Sequence, residues 1–188
     1  MSLPETRVRP GNRAALVATL LVAASVVLPA CTVRPLYSSA PLAAGGVSTP
    51  EALSSIAIKP VATRYAQQVR NHLIFLFGGG RGEPASARYS MTLTVSAGVG
   101  TAARLQVADE YEPSAATVTM RARYVVTDLK TDAKVSEGTR EITSSYDVPR
   151  QEFAALRAQI DAEDRAAREL AELIRLSVAQ ELSAAGTL

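Results

Sequence analysis

The clearest pattern in the chain is an alternation of apolar and polar side chains over residues 88–97, which predicts a β-strand. Its apolar positions are Tyr89, Met91, Leu93, Val95 and Ala97. A second alternating run over residues 115–129 and a weaker one over residues 134–146 predict two further strands, joined by a turn near residues 128–132. A shorter strand is predicted over residues 55–61, where alternating isoleucines end at Pro60.

Two other segments have the 3.6-residue spacing of amphipathic helices. Thr63 is placed to cap a helix over residues 64–77, and three glycines at 78–80 would end it. The last turn of this helix is apolar nearly all round, which predicts burial on more than one side. Its apolar residues are Tyr65, Val69, Leu73, Leu76 and Phe77.

A longer helix is predicted from Asp147 to about Ala184, with Asp147 and Pro149 as its cap and first-turn proline. Its apolar positions include Phe153, Leu156, Ile160, Ala167, Leu170 and Ile174. Unbroken, this helix would be about 50 Å long, which exceeds the core of a small domain. We therefore expect either a bend near residues 161–165 or an end that projects from the domain.

The order of these elements is β-α-β-β-β-α. Each amphipathic helix needs an apolar surface to cover, and a sheet with one apolar face supplies it. The predicted fold class is therefore α+β, with two helices packed on one face of a four-stranded mixed, mostly antiparallel sheet. The helix between the first two strands allows those strands to pair in parallel through a crossover connection.

The N-terminus has the form of a secretory signal peptide, with Arg7, Arg9 and Arg13 before an apolar run over residues 14–29. A helix of about 16 residues rises only about 24 Å, so a permanent transmembrane helix is the less favoured alternative. Removal of this segment takes three arginines and Glu5, and leaves 17 of the 20 basic and 17 of the 18 acidic residues. The neutral mature chain argues against nucleic-acid binding.

Cys31, the only cysteine, ends the segment Leu28-Pro29-Ala30-Cys31, which resembles a lipobox. The resemblance implies that residues 1–30 are removed and that Cys31 carries a lipid such as palmitate. Thr32 follows the cysteine where inner-membrane lipoproteins carry aspartate, which implies a periplasm-facing outer-membrane lipoprotein. Residues 31–52 are then a lipidated N-terminus and flexible tether, and residues 53–188 the folded domain. The alternative is a buried free cysteine near an ordinary cleavage site.

Residues able to carry out catalysis are few. His72 is the only histidine and lies in no known catalytic motif. Acidic clusters at residues 109–112 and 161–164 lack the spacing of a calcium loop and are interpreted as a solvated loop and a polar helix face. Glycines at 78–82 follow a helix, so they do not form a phosphate cradle. We expect no enzymatic activity, no metal and no cofactor other than the covalent lipid.

Arg121 and Arg123 are the strongest candidates for a binding contact. On one face of a strand their guanidinium groups would lie about 7 Å apart, a spacing suited to two phosphates or carboxylates. The alternative is a solvated face on which the charges pair across strands and contribute little.

The residues after Cys31, Arg34, Pro35, Leu36 and Tyr37, resemble the R-P-L-Y motif of the LptE family of lipopolysaccharide-assembly lipoproteins. Arg70, Asn71 and Leu73 are similar to an R-N-x-L segment of that family, and the layout of elements is also similar. The resemblance implies a protein that inserts into the outer-membrane β-barrel LptD, assists its assembly and helps to deliver lipopolysaccharide to the cell surface.

Three alternatives remain open at this stage. The first is an accessory lipoprotein of an ABC-type lipid transporter. A lipid-anchored hydrolase and a lipoprotein linking the membrane to the cell wall are the others, disfavoured by the missing catalytic triad and by the three strand patterns.

Overall fold

Four strands form one mixed sheet in the order β1-β2-β3-β4 in the computed structural model. The strands are β1 Ile56–Ile58, β2 Tyr89–Val107, β3 Glu110–Asp128 and β4 Lys134–Asp147, and the helices are α1 Thr49–Ser54, α2 Arg64–Gly78 and α3 Glu152–Ala185. The structure describes residues 36–37, 47–107 and 110–185, without the side chains of 104–113 and 185. The predicted signal peptide, Cys31, Arg34, Pro35 and Asp109 lie outside this part.

The predicted fold class and element order are confirmed. β1 pairs in parallel with β2, starting from Ile56 opposite Tyr89, and the other neighbouring strands are antiparallel. The short helix α1, which precedes β1, has no counterpart in the prediction. It places Ala52 and Leu53 in the core, so it closes one end of the apolar layer.

One face of the sheet packs against α2 and α3. Small residues of α3, including Ala162, Ala166, Ala167 and Ala171, are fully buried there and allow the helix to lie close to the strands. The largest fully buried side chains are Val69, Leu73, Met91, Val118, Met120, Tyr124, Val126, Leu170, Ile174 and Val178. The alternating faces predicted for β2 and β3 therefore match the buried and exposed faces of the sheet.

The helix α2 begins and ends as predicted. The hydroxyl of Thr63 accepts a hydrogen bond from Ala66 N at 3.4 Å, and Gly79 ends the helix with a left-handed φ of 58°. The expectation that its last turn is buried on several sides is wrong in part, because Phe75 is 64% exposed. Leu73 and Phe77 of that turn are buried in the core, and Ile74 and Leu76 pack against it partly buried.

Strands β2 and β3 are longer than predicted and pair as far as Val107 opposite Glu110. Residues 98–103 are all exposed, so no core imposes an apolar and polar alternation on this extension. Glu110 belongs to β3, which corrects the interpretation of residues 109–112 as a loop at the described positions.

The long helix begins at Glu152, five residues later than predicted, because Asp147 is still paired in β4 opposite Ala115. It runs without a break to Ala185, a length of about 51 Å for 34 residues. Phe153 and Leu156 are 75% and 52% exposed, so the first turns of α3 project beyond the core. This confirms the predicted arrangement in which one end of the helix projects from the domain. No helix in the described residues combines the length and apolarity needed to cross a bilayer.

Candidate functional site

The sheet face turned away from the helices is polar along its centre. It carries the exposed side chains of three neighbouring strands: Thr92, Thr94 and Ser96 of β2, Arg121 and Arg123 of β3, and Thr139, Glu141, Thr143 and Ser145 of β4. We call these nine residues the outer face. The arginines lie at its centre because β3 is flanked on both sides by another strand.

Arg121 pairs across the sheet with Glu141. The two residues are directly opposite in the β3–β4 register, and Arg121 Nε donates to Glu141 Oε2 at 2.7 Å. The side chains of Arg121 and Glu141 are 63% and 43% exposed. An ion pair as exposed as this contributes about 0–1 kcal/mol, so an anionic ligand could displace the carboxylate at little cost.

Arg123 lies between Thr94 of β2 and Thr139 of β4, so its nearest neighbours across the strands are uncharged. In the described part of the chain it has no ion pair and no side-chain hydrogen bond. Of the two outer-face arginines, only Arg121 therefore has an ion pair within the part of the chain that the structure describes. The cross-strand pairing that was one of the two alternatives is present at Arg121, and a binding contact at Arg121 and Arg123 stays a prediction.

Arg70 holds the end of β1 against α2. Its Nε and Nη2 both donate to the backbone oxygen of Ile58, at 3.1 and 3.0 Å, and Nη2 also contacts the carboxylate of Glu83. Leu73 is fully buried in the core, while Asn71 is exposed. The R-N-x-L segment of α2 therefore contains two residues with structural contacts and one that faces solvent.

Leu36 and Tyr37 lie against the folded domain. Leu36 is half-buried and packs against the core, and the ring of Tyr37 lies 4.3 Å from Arg175 Cζ of α3. This is the distance of a cation–π contact.

Acidic side chains of the cluster at residues 161–164 form ion pairs between α2 and α3. Arg64, at the start of α2, donates to Glu163 Oε2 at 2.6 Å and to Asp164 Oδ1 at 2.8 Å. The hydrogen bond with Glu163 is the main cause that raises the pKa of Arg64. This contact fixes α2 against the middle of α3. Among the described residues, no group of three or more histidine, cysteine or acidic side chains is arranged to hold a metal ion.

An open cleft of about 590 Å³ lies where α3 projects, lined by Tyr146, Val148, Phe153 and Leu156 among others. His72 is on α2, distant in sequence from this cleft, and its side chain makes no hydrogen bond within the described residues.

Sequence reasoning missed three partner residues: Glu141, Glu83 and Arg175. Glu141 could have been found only from the β3–β4 register, because the alternation in β4 is weak. Glu83 and Arg175 become neighbours of motif residues only through tertiary contacts, and no spacing in the sequence indicates them.

Residues 53–178 match the family model LptE, described as lipopolysaccharide-assembly. Among solved structures, a Caulobacter crescentus CB15 protein described as a lipoprotein is 26% identical, with a TM-score of 0.58 over 72% of this chain and 96% of that one. Rare lipoprotein B from Shewanella oneidensis is 15% identical, with a TM-score of 0.46 over 70% and 93% of the two chains. A minor lipoprotein from Acinetobacter baumannii is 12% identical, with a TM-score of 0.46 over 66% and 88%. No curated protein matches the chain.

The sheet with helices on one face is the fold of the similar Caulobacter structure. The family match covers about two thirds of the chain, from the end of α1 to near the end of α3. The chain belongs to the LptE family of lipopolysaccharide-assembly lipoproteins.

Proposed function

We propose that this protein is a periplasm-facing outer-membrane lipoprotein that occupies the lumen of an LptD-like β-barrel, helps that barrel to assemble and assists lipopolysaccharide delivery. The family match supports the role in lipopolysaccharide assembly. The observation that carries the finer proposal is the outer face, which is polar throughout and includes a cation, Arg123, that has no ion pair within the described residues. The interior of large outer-membrane barrels is polar, so a plug needs a surface of this kind.

The same face suits a direct contact with lipopolysaccharide, which is anionic. Arg123 offers a guanidinium without an ion pair in the part of the chain that the structure describes, and Arg121 becomes available if a phosphate replaces Glu141. Arginine binds phosphate oxygens through two parallel hydrogen bonds, and such charged hydrogen bonds are about twice as strong as neutral ones. The proposed action requires surface contact and no bond making or breaking, so the protein is proposed not to be an enzyme and to need no cofactor.

The proposed anchor is a lipid on Cys31, exposed after removal of residues 1–30. In this proposal residues 31–52 join the lipid to the folded domain over residues 53–188. Within the described residues, Leu36 and α1 already pack against that domain. Two or three acyl chains, at about 0.8 kcal/mol for each buried CH₂ group, are enough for stable attachment to a bilayer.

The test of the partner is an affinity pulldown of the tagged, full-length protein from outer membranes in mild detergent. We expect a large β-barrel to copurify in a ratio of one to one. Recovery of an inner-membrane ABC-type complex without a barrel would favour the alternative of a transporter accessory and contradict the proposal. Depletion of the protein should also reduce lipopolysaccharide at the cell surface.

The test of the outer face compares three variants of the full-length protein. Arg121→Ala combined with Arg123→Ala should weaken either barrel recovery or lipopolysaccharide binding at least tenfold, and Arg123→Gln should account for most of that loss. The matched control is Arg157→Ala, which removes an exposed arginine from α3, on the other side of the sheet. Unchanged barrel recovery and unchanged lipopolysaccharide binding in the double variant would overturn the assignment of this face.

A further inference from the structure

Two adjacent residues near the predicted start of the mature chain contact the folded domain. Leu36 packs against the core, and Tyr37 places its ring 4.3 Å from the guanidinium carbon of Arg175 in α3. Leu36 and Tyr37 lie before the family match, which begins at residue 53, and they are not part of the outer face. The contact of Tyr37 with Arg175 joins residues that are 138 positions apart in the sequence.

The surroundings of Arg175 favour its contact with the ring of Tyr37. Its side chain is 27% exposed, and Nη1 lies 3.6 Å from Glu172 Oε2 one turn earlier on α3. Its Nε is buried without a hydrogen bond in the described structure. A guanidinium that is partly desolvated gains more from an aromatic ring than an exposed one does, about 0.5–2 kcal/mol.

We propose that Leu36 and Tyr37 form a latch that fastens the lipid-bearing end of the chain to α3 and holds the α3 surface around Arg175 at the membrane. The proposal rests on the proposed lipid anchor at Cys31. It assigns the lipid surface at the periplasmic mouth of the proposed barrel as the neighbour of the α3 surface around Arg175.

The latch limits how far the domain can lie from the proposed lipid on Cys31. From Cys31 to Tyr37 there are six residues, which reach at most about 20 Å when fully extended. Without the latch, the arm would run to Val47, and 16 residues reach about 55 Å. The latch therefore shortens the tether and fixes the point from which it leaves the domain.

The experiment uses the full-length, acylated protein in vesicles of phosphatidylethanolamine and phosphatidylglycerol. Cys31 is the only cysteine, and acylation consumes its thiol, so a dye reacts only with an introduced Arg168→Cys. Arg168 is exposed and lies about two turns before Arg175 on the same side of α3. Nitroxide groups on the lipid heads then quench the dye only when the α3 surface is near the bilayer.

We expect strong quenching in the protein with a native latch and in Tyr37→Phe, which keeps the aromatic ring. Tyr37→Ala and Arg175→Met should each reduce quenching roughly twofold or more, as the arm lengthens. Thermal unfolding of each variant checks that the domain is still folded. Tyr37→Ala and Arg175→Met remove the contact from opposite sides and should reduce quenching to a similar extent. Quenching that is equal in Tyr37→Ala and the native protein, or lost equally in Tyr37→Phe, would overturn the latch.

Failure of the anchor gives a different result from failure of the latch. If mass spectrometry finds Cys31 unacylated and the protein does not bind vesicles, the proposed anchor and with it the membrane contact are wrong. If the protein is acylated and bound but the substitutions have no effect, only the latch is wrong.

Discussion

Tyr124 lies directly opposite Gly138 in the β3–β4 register, and its ring covers the glycine. A Cβ at position 138 would lie 2.7 Å from the phenolic oxygen of Tyr124 and 2.9 Å from Cζ. Tyr124 is fully buried and is among the largest side chains of the core. The glycine is therefore required by the close approach of the aromatic ring, which fills the space that a side chain on β4 would take.

Gly138→Ala should lower the free energy of unfolding by about 1–3 kcal/mol, because the added methyl group must displace a buried ring. The matched control is Gly98→Ala on β2, where no heavy atom lies within 4 Å of the new Cβ. The control should change stability by no more than about 0.5 kcal/mol. Urea unfolding of both variants measures the difference, and equal effects would contradict this account of Gly138.

Tyr124→Phe should change the free energy of unfolding at pH 7 by no more than about 1 kcal/mol, because the buried hydroxyl lies near the hydroxyls of Ser136 and Ser177 but makes no hydrogen bond of good geometry within the described structure. Burial also raises the pKa of Tyr124. The unfolded state therefore ionises at a lower pH than the folded state, and stability should decline above about pH 10. Phenylalanine should make this alkaline decline shallower. A loss of more than about 1 kcal/mol at pH 7 would show that the hydroxyl is bonded.

Asp128 should make stability depend on acidic pH. Its Oδ1 accepts a hydrogen bond from Lys130 N at 2.8 Å and its Oδ2 one from Arg88 Nε at 3.3 Å; these contacts, the Lys130 amide foremost, lower the pKa of Asp128. The stabilisation should thus be complete above the unfolded pKa of about 4 and should fall as the pH drops through the lower folded value.

The variant Asp128→Asn keeps an acceptor for Lys130 N but removes the charge. Unfolding measured from pH 3 to pH 8 should show the wild-type protein more stable at neutral pH and the two proteins converging at the acidic end. A constant difference over the whole range would rule out the carboxylate as the source.

Arg70→Lys should cost about 1–2 kcal/mol, since lysine cannot donate twice to the Ile58 oxygen while it also contacts Glu83. Arg81→Lys, at an exposed position, is the control and should have little effect. Denaturant midpoints give the comparison. Loss of barrel recovery at a temperature where Arg70→Lys is fully folded would instead assign Arg70 to a partner contact.

The projecting start of α3 should contribute little to stability. Phe153→Ser and Leu156→Ser should each change the free energy of unfolding by no more than about 0.5 kcal/mol, because both side chains are mostly exposed. Ile174→Ala, in the buried part of the same helix, should cost about 2–5 kcal/mol. A large effect at Phe153 would mean that the cleft beside it is closed in solution.

Prediction from sequence succeeded where one side of an element is buried. Met91 and Leu93 alternate with polar neighbours because helices cover only one face of β2, and Thr63 and Gly79 mark the ends of α2 through backbone chemistry that is local. It failed at residues 98–103, where the strand continues with exposed side chains, and at Asp147, where strand pairing extends beyond the position of a good helix cap. The sequence placed Arg121 and Arg123 on one face of the strand. It did not indicate that their charge environments differ.

The order of the four strands and the two long helices and the lack of a catalytic triad motif were determined by the sequence alone, because periodicity, caps and residue types are local properties. The sequence allowed the parallel pairing of β1 with β2 but did not require it. Only the tertiary structure showed that position 138 has no room for a side chain, that Glu141 pairs with Arg121 and that Tyr37 contacts Arg175. Each of these contacts joins residues far apart in the chain, and their meeting depends on strand register and helix packing, which no local pattern records.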